Sequence, residues 1–267
     1  FEKTCSLSRL TGTLQEPVTV RRKFMDFPSV IVFIAWLLGG FVSGLTGIGG
    51  AMLAVPLAAM FIPMHDVILL SCILNLAMDG TLTCMYLRHC RFSALAPLLA
   101  GAIPGAFIGL VILQAVSGRI LQGGVGLLLL SYVCWQFFAR RSGRERSSWA
   151  VGSIAGLGAG VLGTAISFDG PPAGAYALWC GWEPRQALGT LGVFFVLRSL
   201  ITCSLQAWSG LYTEQILTYA AYGFPACVLG VLCAFPVVRC VRGEIFRRFL
   251  MAVVAAGGLV CLWNSFH

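Results

Sequence analysis

The side chains in this 267-residue chain that could do chemistry are few and lie inside apolar runs. Within the run 67–87, Ser71, Asn75, Asp79 and Thr83 recur at steps of four, which lays them along one slowly drifting stripe of a helix. A second run, 186–207, carries Arg198, Thr202 and Gln206 at the same step. An ionised group deep in an apolar element is costly, so it faces the protein interior and pairs with an opposite charge or binds something. Asp79 and Arg198 therefore have two readings. They form a buried ion pair with each other, or Arg198 offers an oxyanion its planar donor fork while Asp79 gains and loses a proton. Asn75 and Thr202, one turn from these charges, are the candidate neutral ligands.

Glycines make a second candidate. Gly44-Leu45-Thr46-Gly47-Ile48-Gly49-Gly50 interrupts an apolar run from Ser29 to Ile62 that is too long for one straight span. A helix restarting after Gly47, Gly49 and Gly50 presents unpaired N–H groups and the positive end of its dipole, which suits an anion. The competing role for these glycines is close helix packing. Asp169, followed by Gly170-Pro171-Pro172, reads first as a helix N-cap, and His89 between Arg88 and Arg91 as a solvated loop residue. No Gly-Lys-Ser/Thr follows the glycines, so a nucleotide-binding loop is excluded. The 11 cysteines contain no C-x-x-C and nearly all lie in apolar runs, where Cys behaves as a small hydrophobe. Neither a metal site nor another cofactor is expected.

The elements that position these residues follow from composition. Hydrophobic residues make up 58% of the chain and charged ones 10%, against roughly a quarter charged in a soluble domain. This excludes a water-soluble enzyme. The mean hydropathy of +0.87 also disfavours a β-barrel, whose strands alternate polar and apolar, and leaves helices as the way to satisfy the backbone in lipid. The broken run 29–62 is followed by apolar runs 67–87, 92–116 and 118–139; after a polar stretch come 149–168, a short 171–182, then 186–207, 214–238 and 245–263. The expected fold is an all-α polytopic membrane protein of about eight transmembrane helices in two four-span repeats, each opening with a Gly-broken helix. Residues 1–27 form a tail expected to be disordered, 28–139 the first repeat, 140–148 a basic central loop and 149–267 the second repeat. Gly40 and Gly44 match Gly152 and Gly156, Thr83-Cys84 matches Thr202-Cys203, and Pro104 with Gly109 matches Pro225 with Gly230, all in the same order. Repeats with broken helices are a mark of secondary transporters. In this alignment Asp79 and Arg198 occupy equivalent positions.

The net charge of +8 resides largely in arginines of a tail and short loops, which read as topology signals and not as a nucleic-acid surface. Arg21, Arg22 and Lys23, the 88–91 loop and the central loop fall on one side of an eight-span count, taken as cytoplasmic along with both termini. Arg239, Arg242, Arg247 and Arg248 fall on the other side, and counting 171–182 as a full crossing would reconcile them.

The run Gly40-Phe-Val-Ser-Gly-Leu-Thr-Gly-Ile-Gly-Gly-Ala-Met-Leu-Ala-Val-Pro56, with a weaker counterpart in Gly156-Leu-Gly-Ala-Gly and Gly170-Pro-Pro-Ala-Gly, resembles the TauE/SafE sulfite exporter family. The layout of spans fits that family from about residue 29 onward. The resemblance implies a permease of roughly eight spans in a bacterial inner membrane, exporting sulfite, sulfoacetate or another organosulfur anion by secondary transport. The second half departs from the pattern: Gly160-Val-Leu-Gly-Thr stands where a tighter glycine cluster is expected. Proton coupling through Asp79 is the expected mechanism, with a small anion and the bilayer as partners, no nucleic acid, and a homodimer as the oligomer. A passive anion channel and an accessory subunit of a larger complex are the alternatives. A membrane enzyme would need a Ser/His or paired-carboxylate constellation, and no histidine lies within the runs named above.

Overall fold

The computed structural model describes residues 27–47, 49–138, 148–238 and 243–266. The tail 1–26, most of the central loop, and Arg239 with Arg242 lie outside these residues. The described chain forms α1 (Phe27–Thr46), α2 (Gly50–Ala58), α3 (Met64–Tyr86), α4 (Leu95–Ala115), α5 (Gly118–Phe138), α6 (Trp149–Ile166), α7 (Gly170–Trp179), α8 (Pro184–Trp208), α9 (Glu214–Val238) and α10 (Gly243–Phe266), with two short 3-10 turns between α3 and α4. Six of these helices, α1, α3, α4, α6, α8 and α9, are long and apolar enough to cross a membrane. The described parts of α5 and α10 supply two shorter apolar helices, Gly118–Cys134 and Val254–Ser265. Each half thus opens with a long helix, a break and a short helix.

Small residues set how the helices pair. A methyl group added at Gly101, Gly105 or Gly109 of α4 would stand 1.9, 2.5 and 2.6 Å from the carbonyl oxygens of Ser153, Leu157 and Val161 on α6. The two helices run parallel with their backbones nearly touching, as small residues permit in a membrane. α1 meets α9 in the same way and direction, Gly40 against Cys227 and Gly44 against Val231 and Ala234. α3 and α8 are antiparallel: Gly192 and Gly189 near the start of α8 abut Thr83 and Tyr86 near the end of α3, and Cys72 meets Gln206 at the other end. α5 and α10 are antiparallel as well, Gly123 lying by Ser265 and Gly126 by Gly258. Apolar packing supports both short helices. α2 lies in a core with Trp36, Ile68, Leu70 and Val254, and α7 in one with Leu98, Ala159 and Phe194.

These directions correct the expected sidedness. The end of α3, the starts of α4, α6, α8 and α10, and the ends of α5 and α9 share one face of the helix bundle, because these parallel and antiparallel pairings fix the direction of each helix. The ends flanking 88–91, the central loop and Arg239 with Arg242 are therefore on the same face, whereas α1 starts and α10 ends on the opposite one. The eight-span count separated the arginines because it treated the short second helix of each half as part of one span. A further correction concerns histidine: α3 begins at Met64, so His65 lies in its first turn, within hydrogen-bonding distance of the Leu113 carbonyl at 3.0 Å.

Candidate functional site

The break after α1 is made by Gly47 and Gly49, at φ +73° and +114°, conformations that a side chain disfavours. The chain turns back there, and Gly50 packs against Gly39 of α1 with room for no methyl: its Cβ would lie 2.8 Å from the Gly39 oxygen. The second half makes the corresponding turn differently. α6 ends at Ser167, a non-glycine residue at φ +61° whose N–H donates to the Gly163 carbonyl at 3.1 Å. That conformation costs roughly 1 kcal/mol for an L-residue. What holds it is the hydroxyl, which bonds with the Ser71 hydroxyl and donates to the Ile68 carbonyl at 3.2 Å. Ser167→Ala is expected to keep the strain and lose the bonds, whereas Ser167→Gly loses the bonds and relieves the strain. Thermal unfolding should rank wild type above Gly and Gly above Ala, the last two about 1 kcal/mol apart.

The two breaks meet in one cavity. Gly47, Gly49 and Gly50 line it from the first half, Ser167, Asp169 and Gly170 from the second, and Asn75, Asp79 and Phe195 from α3 and α8; its volume is about 30 Å³. That is room for about one ordered water. The two short helices bring different chemistry to it. α2 starts at Gly50 with no side chain capping it, so its first N–H groups and the positive end of its dipole point at the cavity. α7 starts at Gly170 and continues with Pro171 and Pro172, which have no N–H, and a carboxylate stands just before it.

That carboxylate belongs to Asp169, which takes the expected N-cap position but a different bonding partner. It sits at the N-cap position but makes no side-chain capping bond. Its Oδ2 lies 2.7 Å from Nε of Arg198. The partner of Arg198 is thus Asp169 and not Asp79, because the turn at Ser167 carries the start of α7 onto α8. Arg198 is fully buried and stands behind Asp169, off the cavity wall. Its Nη2 donates to the Ser199 hydroxyl at 2.8 Å and its Nη1 to that of Thr202 at 3.3 Å. Thr202 in turn lies 2.9 Å from the Thr164 hydroxyl. Thr202, like Arg198, therefore supports the wall without lining it, whereas Asn75, Gly47, Gly49 and Gly50 do line it. Asp79, half-buried, is on the wall within electrostatic reach of both Asp169 and Arg198. Gly163 leaves the guanidinium its space: a Cβ there would be 2.5 Å from Nη1. His89 is exposed, as expected. Among the described residues no three or more His, Cys, Asp or Glu side chains cluster as metal ligands.

A family model described as Sulfite exporter TauE/SafE matches residues 32–261. No curated protein and no solved structure matches the chain. The family match and the apolar helices together make this an integral, multi-pass membrane protein.

Proposed function

Because the chain belongs to the sulfite exporter TauE/SafE family, we propose that it is a secondary carrier exporting a small sulfur oxyanion, sulfite or an organosulfonate, across a bacterial inner membrane. Arg198 is the observation that carries this reading: a guanidinium with no exposure inside a membrane helix, its partner Asp169 forming the wall between it and the cavity. A pair that only held helices together would be replaced at little cost by apolar side chains. Asp169 takes only the Nε side of the guanidinium, and its two Nη groups donate to hydroxyls that an oxyanion can replace. The anion enters against the N–H groups of α2 and competes with those hydroxyls for Arg198.

Charge accounting gives the coupling. One guanidinium already faces two carboxylates, Asp79 and Asp169, so an added anion is accommodated when a carboxyl takes up a proton; Asp79, on the wall and outside the ion pair, is the group proposed to do so. The cavity is narrow and lined from both breaks, and in this reading α2 and α7 move apart to pass the anion. The helix pairings support two inverted repeats moving against each other. Laying α1–α5 on α6–α10 turns the α1–α9 contact into the α6–α4 contact and returns α3–α8 and α5–α10 to themselves. Sidedness follows from the arginines of the loops between helices: the face that flanks 88–91, the central loop and 239–242 is cytoplasmic, which puts the start of α1 and the end of α10 on the outer face.

In proteoliposomes, labelled sulfite and a monovalent sulfonate of pH-independent charge should show saturable counterflow, which a pore lacks. Asp79→Asn should retain counterflow of the sulfonate and lose its response to a pH gradient. A wild type without counterflow removes the carrier reading, and an unchanged pH response in a folded Asp79→Asn protein removes Asp79 from the coupling.

A further inference from the structure

Beyond the cavity, a row of buried polar side chains continues between α3, α6 and α8. It begins at Ser167 on the cavity wall, bonded to Ser71. Cys72 follows, its Sγ 3.5 Å from the Ser167 hydroxyl and 3.8 Å from the Gly163 carbonyl. Gln206 donates to the Cys72 sulfur at 3.5 Å, and the Tyr212 hydroxyl donates to Oε1 of Gln206 at 2.7 Å. Ser71, Cys72 and Gln206 have no exposure. Tyr212 is half-buried, in the segment that follows α8. The row thus leads from the cavity to the face opposite the arginine-flanked one.

We propose that this row is the closed outer half of the translocation route, latched by the hydrogen bond from Tyr212 to Gln206. The proposal rests on the carrier reading and adds the path by which the anion leaves. Three features carry it. All the groups are neutral hydroxyl, thiol or amide, able to exchange one another for water or an oxyanion, so parting the helices strands no donor in an apolar wall. Apolar side chains would seal the same seam without any polar group to satisfy, and interhelical polar bonds add little stability in a membrane. The row also starts at the strained turn of Ser167, so movement of the break beside Asp169 is transmitted to Ser71 and Cys72 by direct contact.

Cys72 reports opening in the native sequence. Purified wild type, Tyr212→Phe and Gln206→Leu proteins are treated with N-ethylmaleimide and the modified cysteines located by peptide mass spectrometry. Cys227, equally inaccessible but packed between α9 and α1, serves as the control. With no anion present, Tyr212→Phe should raise Cys72 modification by about tenfold, the effect of one hydrogen bond on an opening equilibrium, with Cys227 unchanged. Gln206→Leu, which fills the seam with an apolar group, should lower sulfite efflux from proteoliposomes by about tenfold while keeping the sulfite-induced rise in melting temperature, because the cavity is intact. Equal Cys72 rates in wild type and Tyr212→Phe overturn the latch, as does a parallel rise at Cys227, which means general loosening. Wild-type efflux by Gln206→Leu overturns the route. Failure of sulfite to shift the wild-type melting temperature counts against the carrier reading alone, since the alkylation comparison uses no anion.

Discussion

Arg198→Met should abolish sulfite-induced stabilisation and lower the stability of the protein by about 3–5 kcal/mol, because it leaves the Asp169 carboxylate uncompensated in a membrane interior. The single variant does not separate a structural pair from an anion site, as both require the guanidinium. The double variant Arg198→Met with Asp169→Leu does. Removing both charges eliminates the uncompensated group, and two apolar side chains of similar size fit the small-residue wall around Gly163 and Thr164. Stability should return to within about 1–2 kcal/mol of wild type. Sulfite binding and counterflow should not return, since the donor fork is gone. Melting temperature with and without sulfite, measured on wild type, both single variants and the double, gives the answer. A double variant that is stable and also transports at the wild-type rate would sink the assignment of Arg198 to the anion.

What could be read in the sequence were features with a local cause. The break at Gly47-Ile48-Gly49 was legible because an overlong apolar run containing a glycine cluster has few other solutions, and Gly47 and Gly49 do take left-handed conformations. The stripe Ser71, Asn75, Asp79 was legible from helical spacing, and these residues face the row and the cavity. The pairing of Arg198 was not. Equivalent positions in two repeats suggested Asp79, whereas the actual partner comes from a non-helical turn whose direction depends on Ser167 at φ +61°. Serine has little intrinsic preference for that conformation, so no residue-level signal marks the turn. Asp169 misled for a related reason: Asp before Gly-Pro-Pro has the chemistry of an N-cap, and the prolines at the helix start leave few backbone N–H groups there for its carboxylate to cap. Arg198 attracts that carboxylate instead.

The glycines of α6 lend themselves to the second large prediction, because two of them seven residues apart lie on nearly the same face of one helix and do different things. At Gly156 an added methyl would be 1.9 Å from the Leu98 carbonyl oxygen and 2.7 Å from its carbon. Both are backbone atoms of α4, so nothing can rotate aside, and α4 and α6 must separate along a contact that also includes Gly101, Gly105 and Gly160. Gly156→Ala should therefore cost about 3 kcal/mol or more, seen as loss of folded protein in detergent. At Gly163 the methyl would meet Nη1 of Arg198 at 2.5 Å, Cζ at 2.9 Å and the Asp169 Cβ at 3.1 Å. These are side-chain atoms and can yield, but the guanidinium moves only by disturbing its ion pair with Asp169 and its hydrogen bonds to Ser199 and Thr202. The gain of roughly 1 kcal/mol in helix propensity from Gly to Ala offsets part of that loss. Gly163→Ala should therefore fold, with a cost on the order of 1–2 kcal/mol, and bind sulfite at least about tenfold more weakly, the equivalent of one charge-assisted hydrogen bond. Size-exclusion behaviour and melting temperature test the first variant, and sulfite titration the second. A folded Gly163→Ala protein with wild-type sulfite affinity would mean that the position of the Arg198 guanidinium is immaterial to the anion, and the cavity would then have to hold its cargo by the α2 N–H groups alone.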